Sequence, residues 1–136
     1  MILQKRAVRI ICNDFYRAHT DPLFKELLVL KINDIYHLRL AEFVYKFKFN
    51  LLPVSCLHYL TVAHNDRLHL TRHHYEFSIP PCRTVVRQNS ISIYGPKYWD
   101  SLPILIKSQV SLYLFKKSLG AFLFSFYEKN HNMDEN

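Results

Sequence analysis

Asp34-Ile35-Tyr36-His37-Leu38-Arg39-Leu40-Ala41-Glu42-Phe43-Val44-Tyr45-Lys46-Phe47-Lys48-Phe49-Asn50 decides the fold. Apolar side chains at Ile35, Leu38, Ala41, Phe43, Val44, Tyr45 and Phe47 form an arc wide enough to bury more than one side of a helix. The stretch therefore reads as the central core helix, over residues 34–50, with Asn33 as its cap. Glu42 and Lys46 stand four apart in the favourable order, worth about 0.3–0.5 kcal/mol. Leu51-Leu52-Pro53 stops the helix, because proline lacks an amide donor and restricts the residue before it.

Towards the N-terminus, Asp21 before Pro22 reads as an N-cap followed by proline at the first helical position, opening a short helix through Leu23, Phe24, Leu27 and Leu28. Earlier still, Leu3, Ala7, Ile10 and Ile11 fall on one face of a helix, and Lys5, Arg6 and Arg9 on the opposite one. Those cations are either a ridge aimed at phosphates or an ordinary solvated face. Asn13 and Asp14 end this helix.

Towards the C-terminus, residues 61–89 lose the helical period and gain prolines and β-branched residues. Loop and short strands are expected there. Thr84-Val85-Val86 and Ile91-Ser92-Ile93-Tyr94, separated by Arg87-Gln88-Asn89-Ser90, read as an antiparallel hairpin. Arg67, Arg72, Arg83 and Arg87 make this region locally positive and the first candidate for a phosphate-facing surface. Gly95-Pro96 breaks the second strand, and residues 97–103 read as one compact helical turn. After Ser111 as N-cap, Leu112, Phe115, Leu119, Phe122 and Phe126 recur at steps of three and four, an amphipathic helix packing one stripe inward. Gly120 within it costs about 1 kcal/mol relative to alanine.

At 136 residues and 49% hydrophobic composition the chain has material for one modest core. Ten Phe and nine Tyr against two Gly favour packed helices over disorder. A net charge of +7 attracts polyanions over about 8–10 Å, which points to RNA, DNA or an anionic surface. Cys12, Cys56 and Cys82 are too far apart and too few for a disulfide framework, so a reducing intracellular setting, nuclear or cytoplasmic, is expected. The longest run without Lys, Arg, Asp or Glu, residues 49–65, holds Asn50, Pro53, His58 and His64 and is not a membrane span.

Catalytic signatures are missing. No glycine-rich phosphate loop, G-x-S-x-G elbow or H-E-x-x-H helix occurs, and no aspartates are paired for two-metal phosphoryl transfer. His69, His73, His74 and Cys82 read as solvated or anion-facing groups rather than metal ligands, since no paired cysteines accompany them. Trp99, with Tyr94 and Tyr98 near Arg83 and Arg87, is either a base-stacking face or an anchor of the hairpin on the last helix. Its large apolar area beside Leu102 and Pro103 favours the anchor.

Leu3-Gln4-Lys5-Arg6-Ala7-Val8-Arg9-Ile10-Ile11, Tyr16-Arg17-Ala18-His19-Thr20-Asp21-Pro22-Leu23-Phe24, Tyr94-Gly95-Pro96-Lys97-Tyr98-Trp99-Asp100-Ser101-Leu102-Pro103 and Ser111-Leu112 with Phe115-Lys116-Lys117 occur in an order and spacing that resemble one family. This is the C-terminal region, thumb and post-thumb, of the reverse transcriptase of non-LTR, jockey-like (LINE-type) retrotransposons. The resemblance covers about residues 3–127. It implies a thumb-like helical part beginning near Leu3, in which Lys5, Arg6 and Arg9 contact phosphates of a template and primer duplex, with a weaker carry-over to Lys97, Lys116 and Lys117. In that family the metal-binding palm and an endonuclease lie upstream of this region. Tyr98, Asp100 and Gly120 depart from the family pattern, where Leu, Asn and a longer side chain are common, and hint at a diverged copy.

The expectation is thus a single, mainly α domain over 1–129 with a small antiparallel β-hairpin (α+β). Helices occupy about 1–60, loop and hairpin about 61–95 and C-terminal helices about 96–128, before a frayed polar tail at 130–136. It is expected to be non-catalytic and without cofactor or metal. Its partners would be RNA or DNA, or a polymerase palm domain on which it docks, and neither a membrane nor a small-molecule substrate. The third possibility is an inert retroelement remnant. The candidate contacts are Lys5, Arg6, Arg9, Arg83, Arg87, Lys97, Lys116 and Lys117, with Tyr94 and Trp99 as anchor or stacking residues.

Overall fold

The structure, a computed structural model, describes residues 2–63 and 76–129. In chain order it contains α1 (Ile2–Ile11), α2 (Thr20–Glu26), α3 (Ile32–Lys48), a 3₁₀ segment (Val54–Tyr59), α4 (Val85–Gln88), α5 (Ile91–Ser101), α6 (Ile104–Lys107) and α7 (Leu112–Lys129). Arg67, Arg72, His69, His73 and His74, and the tail at 130–136, lie outside the described residues. No helix among the described residues is long and apolar enough to cross a membrane.

Three helices end in one way. Asn13, Leu28 and Asn50 adopt φ of 52°, 52° and 53°, and the next amide reaches back five residues: Asp14 to Arg9, Val29 to Phe24 and Leu51 to Lys46, at 2.9, 2.9 and 2.8 Å. This left-handed turn satisfies carbonyls that the helix leaves open. Asn13 thus ends α1 as its sequence suggests. At the end of α3 the reversal at Asn50 acts before Pro53 is reached, so the proline instead precedes the 3₁₀ segment. Asp21 does not cap α2, which begins one residue earlier; its carboxylate pairs with Lys31 at 2.9 Å.

The mainly helical chain gathers into two compact units, Met1–Leu38 with Lys116–Asn136, and Arg39–Phe115. In the first, Val8, Leu23, Phe24 and Tyr127 are buried together, with Cys12, Leu27, Leu30 and Phe124 packed against them. Here the expected facing of α1 is reversed. Leu3, Ala7, Ile10 and Ile11 are exposed, and the stripe that turns inward is Gln4, Val8 and Cys12. Polar bonds explain the choice. The Gln4 amide donates to the Leu30 carbonyl and accepts from the Ile32 amide, both at 3.0 Å, and Arg9 Nε donates to the Ala18 carbonyl at 2.9 Å. The two part-buried bonds, Gln4 to Leu30 and Arg9 to Ala18, each contribute about 0.5–1.5 kcal/mol.

In the second unit α3 supplies Leu40, Ala41, Val44 and Tyr45 to the core, α5 supplies Ile93 and Trp99, and Phe77, Leu102, Ile106 and Phe115 complete it. The Tyr45 ring stacks on Phe115 with centroids 4.5 Å apart, and its hydroxyl donates to the Gln109 carbonyl at 2.9 Å. Gly95 sits where a Cβ would lie 3.3 Å from Val44 Cγ2 and 3.7 Å from Leu40 Cδ1, so its missing side chain allows α5 to lie close on α3.

The expected hairpin does not form. Val85 opens α4 and Ile91 opens α5, and Arg87-Gln88-Asn89-Ser90 is a helix end and N-cap rather than a β-turn. Strand preference spans only about 1 kcal/mol and depends on having a pleated neighbour. Val85 and Val86 are exposed and have no neighbouring strand, whereas helical spacing buries Ile93, Pro96 and Trp99 on one side of α5. Nor do Gly95-Pro96 break the element; α5 runs through both to Ser101. Among the described residues, β-pairing is limited to one antiparallel bridge, Val62 with Phe77.

On α7 the inward stripe is Phe115, Leu119, Leu123 and Tyr127, while Phe126 faces out. Phe115 and Leu119 follow the expected pattern; strict steps of four displace Phe122 and Phe126 from it. Gly120 meets nothing within 4 Å of a built Cβ. Gly120→Ala is therefore expected to stabilise the chain by about 0.5–1 kcal/mol through helix propensity alone, read as a higher urea midpoint with unchanged m-value.

Candidate nucleic-acid interface

The candidate cations stand on separate elements. Lys5, Arg6 and Arg9 belong to α1, with Arg6 exposed and Lys5 and Arg9 half-buried. Arg9 is partly committed, through its Nε bond to Ala18. Lys116 and Lys117 are on α7, and Lys117 is exposed. Arg83, Arg87 and Lys97 are exposed in the second unit, before α4, on α4 and on α5. The eight are thus divided between the two units, five in the first and three in the second.

Three of the described carboxylates are taken up by other cations: Asp21 by Lys31 at 2.9 Å, Glu42 by Arg39 and Lys46 at 2.8 and 2.9 Å, and Glu76 by Lys48 at 2.6 Å. The Glu42–Lys46 pair is the one its spacing on α3 suggested. No ion pair among the described residues involves Lys5, Arg6, Arg9, Arg83, Arg87, Lys97 or Lys117.

Trp99 is fully buried and presents no free ring face, and the hairpin it was expected to anchor does not form. Its ring lies 6.5 Å from Phe77 and 5.9 Å from Phe115 between centroids, and its Nε1 donates to Glu76 Oε2 at 2.8 Å. Tyr94 is half-buried, its ring nearly parallel to that of Tyr98 at 6.3 Å.

The polar cluster around Trp99 has no sequence signal, because its members are far apart in the chain. Lys48 Nζ lies 5.6 Å from the Trp99 ring centre as well as on Glu76. Burial alone raises the Glu76 carboxyl, but hydrogen bonds from Lys48 and Trp99 and the charges of Lys48 and Lys107 outweigh it and hold the group below its usual range. Asp100 shifts the other way. Burial, aided by the Glu76 charge, raises it despite Lys107, and its Oδ2 is buried without a hydrogen-bond partner among the described residues.

A carboxyl raised in the fold stabilises only while protonated, below its ordinary value of 3.8, and that contribution is lost as pH rises through the folded value. Asp100→Asn, the residue common in the resembled family, is therefore expected to raise stability at pH 7 by about 1 kcal/mol. The gain should vanish near pH 3.5; urea unfolding at the two pH values measures it.

Among the described residues no three His, Cys, Asp or Glu side chains are grouped to hold a metal ion. The Cys82 thiol donates to the Thr84 carbonyl at 3.3 Å. Burial, then Glu26 and Asp14, push the Cys12 thiol up, the reverse of nucleophile activation. Compared with protein-family models, curated proteins and solved structures, the chain matches none.

Proposed function

We propose that the chain is a non-catalytic accessory module that binds RNA or DNA through the phosphate backbone. It would correspond to the C-terminal part of a retrotransposon RNA-directed DNA polymerase. The observation that carries this reading is the set of unpaired cations: the side chains of six of the eight candidates make no hydrogen bond or ion pair among the described residues, those of Arg9 and Lys116 being the exceptions. Such side chains release counterions from a polyanion without first breaking an internal pair. The family resemblance adds the thumb-like placement of Lys5, Arg6 and Arg9.

Titration against single-stranded RNA and duplex DNA at 50 and 200 mM salt tests it. About six phosphate contacts predict a loss of roughly a thousandfold across that range. Charge reversal at both Lys5 and Arg6 should weaken binding and lower the salt slope by about 2. An affinity indifferent to salt, or extension of a primer by the purified chain, would sink the reading.

One observation favours a second reading, a protein-interaction piece that docks on a polymerase palm. Leu3, Ile10 and Ile11 on α1, and Phe15 and Tyr16 after it, are 67–86% exposed, an apolar display that soluble surfaces usually limit. Replacing Leu3 and Ile10 by Ser should leave polynucleotide binding unchanged under the first reading and abolish palm docking under the second.

A further inference from the structure

The second unit holds a cavity of about 190 Å³ whose walls come from four separate stretches of chain. His58 belongs to the 3₁₀ segment, Thr61 and Ser78 flank the Val62–Phe77 bridge, Arg87 comes from α4, and Ser90 and Ser92 from the start of α5. None of the described lining residues is acidic. We infer that this cavity is a binding site for a phosphate monoester, anchored by Arg87.

Donor chemistry supports an anion. The guanidinium offers a planar fork suited to two phosphate oxygens, and it has no ion pair among the described residues. The imidazole of His58 and the five hydroxyls, of Tyr59, Thr61, Ser78, Ser90 and Ser92, add donors that can turn towards a ligand. Ser90 occupies the N-cap of the eleven-residue α5 yet makes no side-chain capping bond, so its hydroxyl remains available at the positive end of that helix.

The number of donors selects among anions. A carboxylate or a phosphodiester has two free oxygens, whereas a phosphate monoester has three and carries about −1.5 to −2 charge at pH 7. Seven donor groups on four walls suit the latter. Size selects within that class: ligand pockets for drug-sized molecules run to roughly 300–1,000 Å³, so this one admits a phosphate and a short carbon skeleton rather than a whole nucleotide. Pro80 and Ile93 supply the apolar wall for that skeleton. The site goes beyond the polynucleotide reading and does not depend on it, although the same group ends a phosphorylated strand.

The test titrates the full chain calorimetrically with ribose 5-phosphate and with ribose, and in a second arm with a tetranucleotide bearing a 5′-phosphate or a 5′-hydroxyl. Ribose 5-phosphate is expected to bind at least tenfold more tightly than ribose, with the preference lost in Arg87→Gln and partly kept in Arg87→Lys. A threefold or greater preference for the phosphorylated strand, also lost in Arg87→Gln, assigns a strand end as the source; parity there, with the sugar-phosphate preference intact, assigns a free sugar phosphate. Equal binding of ribose 5-phosphate and ribose overturns the site, as does a preference that survives Arg87→Gln. Should Arg87→Gln lose its helical circular dichroism, Ser92→Ala is read instead, with at least a threefold weakening expected and no change overturning the site. If the 5′-hydroxyl strand fails to bind while ribose 5-phosphate binds, the backbone-binding reading falls and the cavity stands; the converse removes the cavity alone.

Discussion

Trp99→Ala is expected to cost about 3–5 kcal/mol, the range for emptying a large aromatic site in a core, against a total stability of about 5–15 kcal/mol for a domain. Two losses add. The ring fills the space between Phe77 and Phe115 with no exposure to solvent, so its removal leaves a cavity. The indole N–H also holds Glu76, and without it that carboxylate depends on Lys48 alone. Trp99→Phe separates the terms: it keeps most of the ring contact and gives up the bond, for a loss of about 1.5–3 kcal/mol. Circular dichroism in urea is the suitable measurement, because the chain's one tryptophan is the residue removed. A midpoint shift corresponding to less than 1 kcal/mol for the alanine variant would refute the anchor. In the wild-type chain, polynucleotide should not quench the fluorescence of this buried indole.

The helices legible in the sequence are those whose period is long and whose partners need not be known. α3 and α7 are of this kind, and so is the Glu42–Lys46 pair, which is local to α3. The hairpin was misleading because Val85, Val86 and Ile91 favour strands only when another strand lies beside them, and burial of Ile93 and Trp99 at helical spacing decides otherwise. On α1 the strongest apolar stripe turns outward because Gln4 and Arg9 satisfy carbonyls and an amide at residues 18, 30 and 32. No local pattern announces those partners. The candidate cations illustrate the same limit: their identities are read from the sequence, but their division between two units is not, and His58 acquires interest only through Arg87 and Ser90, some thirty residues away.

Tyr127→Phe is expected to destabilise the first unit by about 1–3 kcal/mol, through polar groups rather than volume. The hydroxyl donates to the Asp34 carboxylate and accepts from the Lys31 amide at 2.9 Å. Phenylalanine preserves the ring, its packing against Phe124 and the approach of Lys31 Nζ at 4.4 Å, so the loss isolates the two bonds. It leaves the Lys31 amide and the Asp34 carboxylate, at the start of α3, each short of a bond. Burial first, then the bond to Asp34 and the charges of Asp34 and Asp21, push the phenol well above its ordinary value of 10.0. A raised acid stabilises the fold below its unfolded value, and that contribution is lost as pH rises through the folded one. The wild-type advantage over the variant should therefore hold from pH 6 to about 10 and narrow at more alkaline pH, because there the unfolded wild-type phenol ionises while the folded one resists. Urea midpoints of both proteins at pH 7 and pH 11 measure the difference. A constant gap across that range would mean that folding does not shift the ionisation of the Tyr127 phenol. Since α1, with Lys5 and Arg6, rests on this same core, a loosened first unit should also weaken phosphate binding at temperatures approaching its unfolding, while leaving it unchanged well below.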